Sequence, residues 1–219
     1  FFFKQKTAYE IMPSLVCSEM CIRDRSIINA GDGSHAHPSQ ALLDLYTIQS
    51  HFGDIKNRKV VIVGDILYSR VARSNLWGLT KMGAKVVLCS PPTLIPPDFI
   101  KGFPKNHPFA SVSITHNLSE AVEGADVIMA LRLQAERQGR GRLPSLREYS
   151  NLYGINAKTL KLANKDVLIM HPGPMNEGVE IDTEIAHGPH SVIQEQVTNG
   201  VAVRMALLYA VASANGGNK

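Results

Sequence analysis

Five short apolar runs separated by helical patterns most constrain the fold of this chain. The runs are mostly continuous in apolar character rather than alternating, which is typical of strands buried on both faces of a parallel sheet. The predicted strands are Lys59–Asp65, Lys85–Ser90, Ala110–Thr115, Asp126–Leu131 and Asp166–His171. Strands that alternate with helices predict an α/β fold with a doubly wound, Rossmann-like parallel sheet.

Helical patterns lie between the predicted strands and on either side of them. The predicted helices are Arg70–Met82, Leu118–Glu123, Leu146–Tyr153 and Ala157–Ala163, with flanking helices from Pro38 to about Gly53 and over about Gln196–Ala212. In such folds ligands bind at the carboxyl ends of the strands. Three of the five predicted strands run directly into the most polar motifs of the chain, which directs the search for a site to that edge.

The first 25 residues differ from the remainder of the chain. They show no strand alternation, no sustained helical stripe and no turn chemistry, and they lack the order of basic, apolar and small residues that a secretory signal has. The segment resembles the translated read-through of a sequencing adapter. We therefore interpret residues 1–25 as non-native and exclude them from the fold prediction.

Cysteine usage and charge limit the possible functions. Cys17 and Cys21 would suggest a metal or redox pair, but both lie in the excluded segment, and Cys89 falls in an apolar run that predicts a buried thiol. The absence of a disulfide framework favours a reducing, cytoplasmic compartment. The net charge of +4 is small and scattered, and the longest apolar stretches have strand length. The sequence therefore predicts neither nucleic-acid binding nor a membrane span.

The stretch GDGSHAHPSQ precedes the first predicted helix. Pro38 suits the first turn of a helix, so His37 lies at its N-cap, where unpaired backbone donors and the positive end of the dipole favour an anion. Gln40 follows three residues later on the same face and could hold a carbonyl group and its amide together with His37. A capping loop whose histidines bind turn carbonyls is the alternative, and spacing alone does not decide between them.

Arginines follow the first and fourth predicted strands. Arg70 lies in the first turn of a helix, where its charge opposes the dipole, and Arg132 and Gln134 point the same way in an extended chain. Because a guanidinium binds a carboxylate bidentately, Arg70 and Arg132 could clamp a dicarboxylate. A solvated arginine is the alternative for each. The following arginines, which lie among glycines and predict a mobile basic flap, are Arg137, Arg140 and Arg142.

The fifth predicted strand ends in a rigid turn formed by Pro172, Gly173 and Pro174. Neither proline has a backbone N–H group, so carbonyl groups that the turn leaves unpaired could accept hydrogen bonds from an amide. An ordinary loop is the alternative, and His171 receives no role from the sequence.

Five motifs in this order resemble the aspartate carbamoyltransferase catalytic chains of the aspartate/ornithine carbamoyltransferase family. They are INAGDGSHAHPSQALLDLYTI, VGDILYSRVARSN, ALRLQAERQ, LPSLREYSNLYGIN and MHPGPMNEGVEI. The resemblance covers essentially all of residues 26–219. An ornithine-specific member would have a cysteine-containing motif in place of HPGP. The resemblance therefore favours aspartate over ornithine as the substrate.

The resemblance implies a role for each matching residue. His37 would polarise the carbonyl oxygen of carbamoyl phosphate as the catalytic residue, Gln40 and the turn formed by Pro172, Gly173 and Pro174 would bind the same substrate, and the aspartate-binding residues would be Arg70, Arg132 and Gln134. The product would be N-carbamoyl-L-aspartate, an early intermediate of pyrimidine synthesis. No metal or organic cofactor is implied. The implied partners are the two substrates, a homotrimer, and regulatory or dihydroorotase chains.

The resemblance also implies a domain division. Residues 26–53 would end the carbamoyl phosphate domain and include an interdomain helix, residues 54–195 would form the aspartate-binding domain, and residues 196–219 would form a helix that packs on the other domain. The phosphate loop of the family is not found in this sequence, so we expect an N-terminally truncated chain with negligible activity alone. The alternatives are a non-catalytic dicarboxylate-binding remnant and a nucleotide-binding Rossmann unit, although the latter lacks its glycine fingerprint.

Overall fold

The computed structural model describes residues 28–33, 35–133 and 145–216, and it contains a five-stranded parallel sheet with the strand order β3-β2-β1-β4-β5. The strands are β1 (Lys59–Val63), β2 (Lys85–Cys89), β3 (Ser113–Thr115), β4 (Val127–Ala130) and β5 (Leu168–Met170). All four pairings are parallel. The predicted α/β fold with a doubly wound parallel sheet is therefore confirmed.

Helices cover both faces of the sheet. They are α1 (Pro38–Phe52), α2 (Arg70–Lys81), α3 (Pro97–Ile100), α4 (Leu118–Val122), α5 (Leu146–Tyr153), α6 (Ala157–Leu160), α7 (Thr183–Ala186) and α8 (Ile193–Gly216), with a 3-10 helix at Pro92–Leu94. The 3-10 helix and the four-residue helices α3 and α7 were not predicted, because three or four residues are too few to establish a helical period.

All five predicted strands and several predicted helices are shorter than expected, by one to three residues. The strand predicted at Ala110–Thr115 begins only at Ser113, because Ala110 and Val112 donate their N–H groups to local turns, to the carbonyls of His107 and Phe109. The helix predicted to Ala163 ends at Leu160. The strand predicted at Asp166–His171 spans only Leu168–Met170, because Val167 donates its N–H group to the carbonyl of Asn164 in a turn. His171 therefore lies in the turn that follows β5.

Strand β1 lies at the centre of the sheet and divides the core into two layers. Val61 and Val63 pack with one buried cluster, whereas Val60 and Ile62 pack with the other. Successive side chains of a strand point to opposite faces, so a continuous apolar run contributes to both layers. This explains why the strands could be recognised from unbroken apolar sequence.

Helices α1 and α8 pack against each other beside the sheet. Asn199 on α8 donates from Nδ2 to Thr47 Oγ1 at 2.9 Å, and His51 on α1 lies 2.7 Å from Glu195 (Nε2 to Oε2). Helix α8 is also tied to the end of β5, where the backbone N–H of His171 donates to Gln196 Oε1 at 3.0 Å. These contacts bring the start of α1 to the carboxyl edge of the sheet.

The remaining features concern the core cysteine, the lengths of the helices and the grouping of possible metal ligands. Cys89 is fully buried, and burial raises the pKa of its thiol to about 12, as expected for an inert core cysteine. Within the part of the chain that the structure describes, no helix is long and apolar enough to cross a membrane. The same residues contain no group of three or more histidine, cysteine or acidic side chains that could hold a metal ion.

Candidate active site

A cavity of about 220 Å³ lies where the strand ends β1, β4 and β5 meet the start of α1. Among its lining residues are seven of the eight predicted site residues, namely His37, Gln40, Arg70, Arg132, Pro172, Gly173 and Pro174. The eighth, Gln134, lies outside the described residues, as do the arginines of the predicted flap. Residues from four separate segments of sequence therefore converge on one cavity.

His37 occupies the N-cap of α1, but its side chain makes no capping hydrogen bond. Its backbone N–H group donates to Ser74 Oγ at 2.8 Å, and its ring atom Nδ1 lies 3.4 Å from Ser39 Oγ. The second histidine of the motif, His35, is exposed and lies 3.4 Å from Asp32. The capping alternative thus does not describe His37, whose half-buried ring lines the cavity instead.

The surroundings of His37 favour the neutral imidazole. Its pKa is lowered, first by burial and then by the positive charges of Arg70 and Arg204. A neutral imidazole donates from one ring nitrogen and accepts at the other. His37 can therefore donate a hydrogen bond to a substrate carbonyl oxygen without carrying a full charge.

Gln40 lies one turn into α1, and its backbone N–H group donates to the carbonyl of His37 at 3.1 Å. Its side-chain Nε2 donates to Asp44 Oδ1 at 3.1 Å. The side chain is buried apart from the part that reaches the cavity wall. The amide is therefore held from behind and can present its oxygen to a ligand.

Arg70 is the first residue of α2, whose N-cap Ser69 accepts a hydrogen bond from the backbone N–H of Ala72 at 3.1 Å. The loop before α1 closes over the Arg70 guanidinium at Gly31. A Cβ at that glycine would lie 2.7 Å from Arg70 Nη1, and its φ of +138° is strained for other residues. Sequence reasoning missed this role, although the glycines of GDGSH could have signalled a close approach.

The turn from β1 to α2 brings Arg70 next to Arg132. Gly64 has a φ of +124°, and a Cβ there would lie 2.9 Å from the carbonyl oxygen of Leu131. Asp65, fully buried, accepts from the backbone N–H of Tyr68 at 3.1 Å and closes the turn. Since β1 and β4 are neighbours in the sheet, both arginines reach the same edge, as the predicted clamp requires.

The turn after β5 is fixed from within by a histidine. The backbone N–H of Gly173 donates to His171 Nδ1 at 2.9 Å, so the ring hydrogen lies on Nε2, which is 3.3 Å from Glu180 Oε1. The Gly173–Pro174 peptide bond is cis. His171 is fully buried, and both of its ring nitrogens have partners within the turn region.

The sequence matches two family models. Residues 56–211 match the aspartate/ornithine carbamoyltransferase, Asp/Orn binding domain, and residues 9–50 match the carbamoyl-P binding domain of the same enzymes. The first match extends over more than half of the chain. The chain belongs to the aspartate/ornithine carbamoyltransferase family. The second match begins at residue 9 and therefore includes part of the segment that we interpret as non-native. Because the structure does not describe residues 9–27, the non-native origin of residues 1–25 and the domain division stay predictions.

Individual family members agree with this assignment. The aspartate carbamoyltransferase catalytic subunit of Desulfitobacterium hafniense is 61% identical over 183 residues, which are 84% of this chain and 56% of that protein. The chain thus spans just over half the length of this relative. The catalytic subunit of Syntrophobacter fumaroxidans is also 61% identical, with 58% of its length matched and 84% of this chain.

A solved structure of the family shares the fold. The aspartate transcarbamoylase of Trypanosoma cruzi, in complex with phosphate, superposes with a TM-score of 0.76 at 28% identity, over 96% of this chain and 73% of that one. This similarity supports the arrangement of the elements that form the cavity.

Proposed function

We propose that this chain is the aspartate-binding part of an aspartate carbamoyltransferase, which transfers a carbamoyl group from carbamoyl phosphate to L-aspartate. The observation that carries the proposal is the cavity itself, which combines two arginines, a neutral histidine, an amide and a proline-rich turn. The relatives at 61% identity, which are aspartate carbamoyltransferase catalytic subunits, support the same activity.

The two arginines suit the carboxylates of L-aspartate. Arg70 and Arg132 follow neighbouring strands and line the cavity together, and no carboxylate is among its described lining residues. Bidentate guanidinium–carboxylate hydrogen bonds would fix the amino acid in one orientation, and Gln134 is proposed to assist. Ornithine is disfavoured because its side-chain ammonium would lie among positive charges with no described carboxylate to balance it.

His37, Gln40 and the turn formed by Pro172, Gly173 and Pro174 are proposed to bind carbamoyl phosphate. His37 would donate a hydrogen bond to the carbonyl oxygen, and Gln40 Oε1 would accept one from the carbamoyl amide. The carbonyl groups of the turn would accept another. These contacts would put the carbonyl carbon on the cavity side of α1, beside the proposed position of L-aspartate.

The reaction then follows from this placement. The deprotonated amine of L-aspartate attacks the carbonyl carbon, and the carbonyl oxygen takes up negative charge that the His37 N–H group stabilises. The bond from that carbon to the phosphate oxygen breaks, both electrons of the bond leave with the phosphate, and the departing phosphate takes up the proton that the amine nitrogen loses. N-carbamoyl-L-aspartate and phosphate are the products, and much of the rate is expected from positioning.

The Arg132 contact is testable on the chain itself with succinate, a dicarboxylate that lacks the amine. We expect Arg132→Gln to weaken succinate binding by at least about tenfold, because a bidentate ion pair is lost. Binding is measured by ligand-detected NMR titration. The matched control is Arg58→Gln, which removes an arginine from the opposite end of β1, where Arg58 Nη1 lies 3.5 Å from Asp126 Oδ1.

The control separates a site effect from a general loss of charge. Arg58→Gln should leave succinate affinity within about twofold of the unaltered chain. Equal affinities in the Arg132→Gln variant and the unaltered chain would contradict the dicarboxylate clamp.

A further inference from the structure

A single carboxylate lies fully buried directly behind the cavity. Asp44 Oδ1 accepts from Gln40 Nε2 at 3.1 Å and from Gln196 Nε2 at 2.8 Å, and its Oδ2 accepts from Asn75 Nδ2 at 2.8 Å. The three amides belong to helices α1, α8 and α2. The Asp44 carboxylate, which itself lies on α1, therefore accepts hydrogen bonds from its own helix and from two others.

The carboxylate determines which way the Gln40 amide faces. An ionised carboxylate only accepts hydrogen bonds, so any amide that meets it must present its NH₂ group. Gln40 therefore turns Nε2 toward Asp44 and leaves Oε1 for the cavity. No described residue donates to that oxygen, so a ligand N–H group is the complementary partner.

The same carboxylate is linked to the opposite wall of the cavity. Gln196, held by Asp44 at Nε2, accepts at Oε1 from the backbone N–H of His171 at 3.0 Å. The His171 ring in turn accepts from the backbone N–H of Gly173 at 2.9 Å. One unbroken series of hydrogen bonds thus joins Gln40 on α1 to the turn after β5.

We propose that Asp44 is a positioning residue that makes the site selective for a carbamoyl group. It keeps Gln40 Oε1 facing the cavity as an acceptor. Through Gln196, it also sets the distance between Gln40 and the turn after β5. The inference rests on the proposed function, because the carbamoyl NH₂ group is the donor that this oxygen would meet. Acetyl phosphate, which has a methyl group at that position, would leave the oxygen unpaired, and an unpaired buried acceptor is costly.

Two substitutions of Asp44 distinguish positioning from simple packing. In Asp44→Asn, the side-chain oxygen can still accept from Gln40 and Gln196. Its new NH₂ group would face Asn75, whose buried Oδ1 has no hydrogen-bond partner among the described residues and becomes available when that amide turns over. Asp44→Leu has a similar size but no acceptor, so the Gln40 amide is free to reverse.

The experiment titrates the full ¹⁵N-labelled chain with freshly dissolved carbamoyl phosphate and, separately, with acetyl phosphate. Affinities are read from the Gln40 side-chain NMR signals. We expect the unaltered chain to prefer carbamoyl phosphate by at least about tenfold and Asp44→Asn to keep that ratio within about threefold. Asp44→Leu should reduce the preference to less than about twofold.

A second measurement covers the case in which Asp44→Leu does not fold. In the unaltered chain, the Gln40 NH₂ protons should exchange with solvent at least about tenfold more slowly than those of Gln49, an exposed glutamine of the same helix. Equal exchange rates for Gln40 and Gln49 would overturn the inference, whichever phosphate binds.

The outcomes separate the inference from the proposed function. If the unaltered chain prefers carbamoyl phosphate and Asp44→Leu, while folded, keeps the full preference, the positioning role is wrong and the function stands. If neither phosphate binds at millimolar concentration, the assignment of His37, Gln40 and the turn after β5 to carbamoyl phosphate fails for this chain, and the carbamoyl selectivity fails with it. The assignment of Arg70 and Arg132 to L-aspartate is tested separately, by the succinate titration. Slow exchange of the Gln40 amide would then still establish its orientation.

Discussion

At the scale of single residues, the site depends on the protonation of His37. Burial and the charges of Arg70 and Arg204 lower its pKa, so the imidazole is neutral at physiological pH and donates a hydrogen bond without repelling the arginines. Arg204 lies on α8, far from His37 in the sequence. It lines two cavities that adjoin the candidate active-site cavity. A charge that sequence reasoning did not consider therefore affects the predicted catalytic residue.

This effect of Arg204 leads to a direct prediction. We expect Arg204→Gln to raise the pKa of His37, because a nearby positive charge that disfavours the imidazolium is removed. The pKa should stay below the ordinary value, since burial and Arg70 still act. NMR titration of the His37 ring protons measures both values. An unchanged or lower pKa in the variant would show that Arg204 is too far away or too well solvated to act.

At the scale of elements, Asp44 joins three helices at a cost in stability. Burial raises its pKa to about 6, and the hydrogen bonds from Asn75, Gln196 and Gln40 only partly oppose this shift. The folded chain therefore holds a proton on Asp44 more tightly than the unfolded chain, where the pKa is 3.8. The stability that protonated Asp44 contributes is therefore present below about pH 4 and is lost as the pH rises through about 6.

The pH dependence of the Asp44→Asn variant tests this account. Because the asparagine side chain of the variant cannot ionise, its free energy of unfolding relative to the unaltered chain should increase between about pH 3 and about pH 7 by on the order of 3 kcal/mol. Above about pH 7 the difference should be constant. Urea denaturation at several pH values measures it. A difference that does not change with pH would mean that the ionisation of Asp44 is not linked to folding.

At the scale of the whole molecule, the structure has an apolar surface along α8. Its exposed side chains are Val197, Val201, Met205, Leu208 and Tyr209. Exposed apolar side chains that follow one another along a single helix are typical of a region that contacts other protein. The matched region is also only 56% of the D. hafniense relative. Both observations motivate a test of whether the chain alone has enzymatic activity.

We expect the chain alone to bind succinate but to form no N-carbamoyl-L-aspartate above the uncatalysed background. Arg70 and Arg132 are assigned to the aspartate carboxylates, and none of the other described lining residues is a cation that could neutralise the phosphate. A colorimetric assay of the product, with the intact D. hafniense enzyme as the positive control, measures the activity. Robust turnover by the purified chain would contradict this expectation.

The sequence alone determined the fold class, and it predicted the candidate site residues that the structure brings to one cavity. Unbroken apolar runs require burial on both faces, so the five parallel strands could be predicted, and the rule that ligands bind at carboxyl ends directed attention to Arg70, Arg132 and the turn after β5. His37 and Gln40 could be found because a proline marks the first turn of their helix. These signals are local, with a period or a spacing that the sequence displays.

Only the tertiary structure decided how these residues are held. Asp44, Asn75 and Gln196 lie in three helices, with up to 152 positions between bonded partners, and nothing in their local sequence distinguishes them from other polar residues on amphipathic helices. Likewise, the contact of Gly31 with Arg70 depends on how a loop folds back over a distant helix. Local sequence specifies elements through their periods, whereas the partners of a buried polar group are set by how those elements pack in three dimensions.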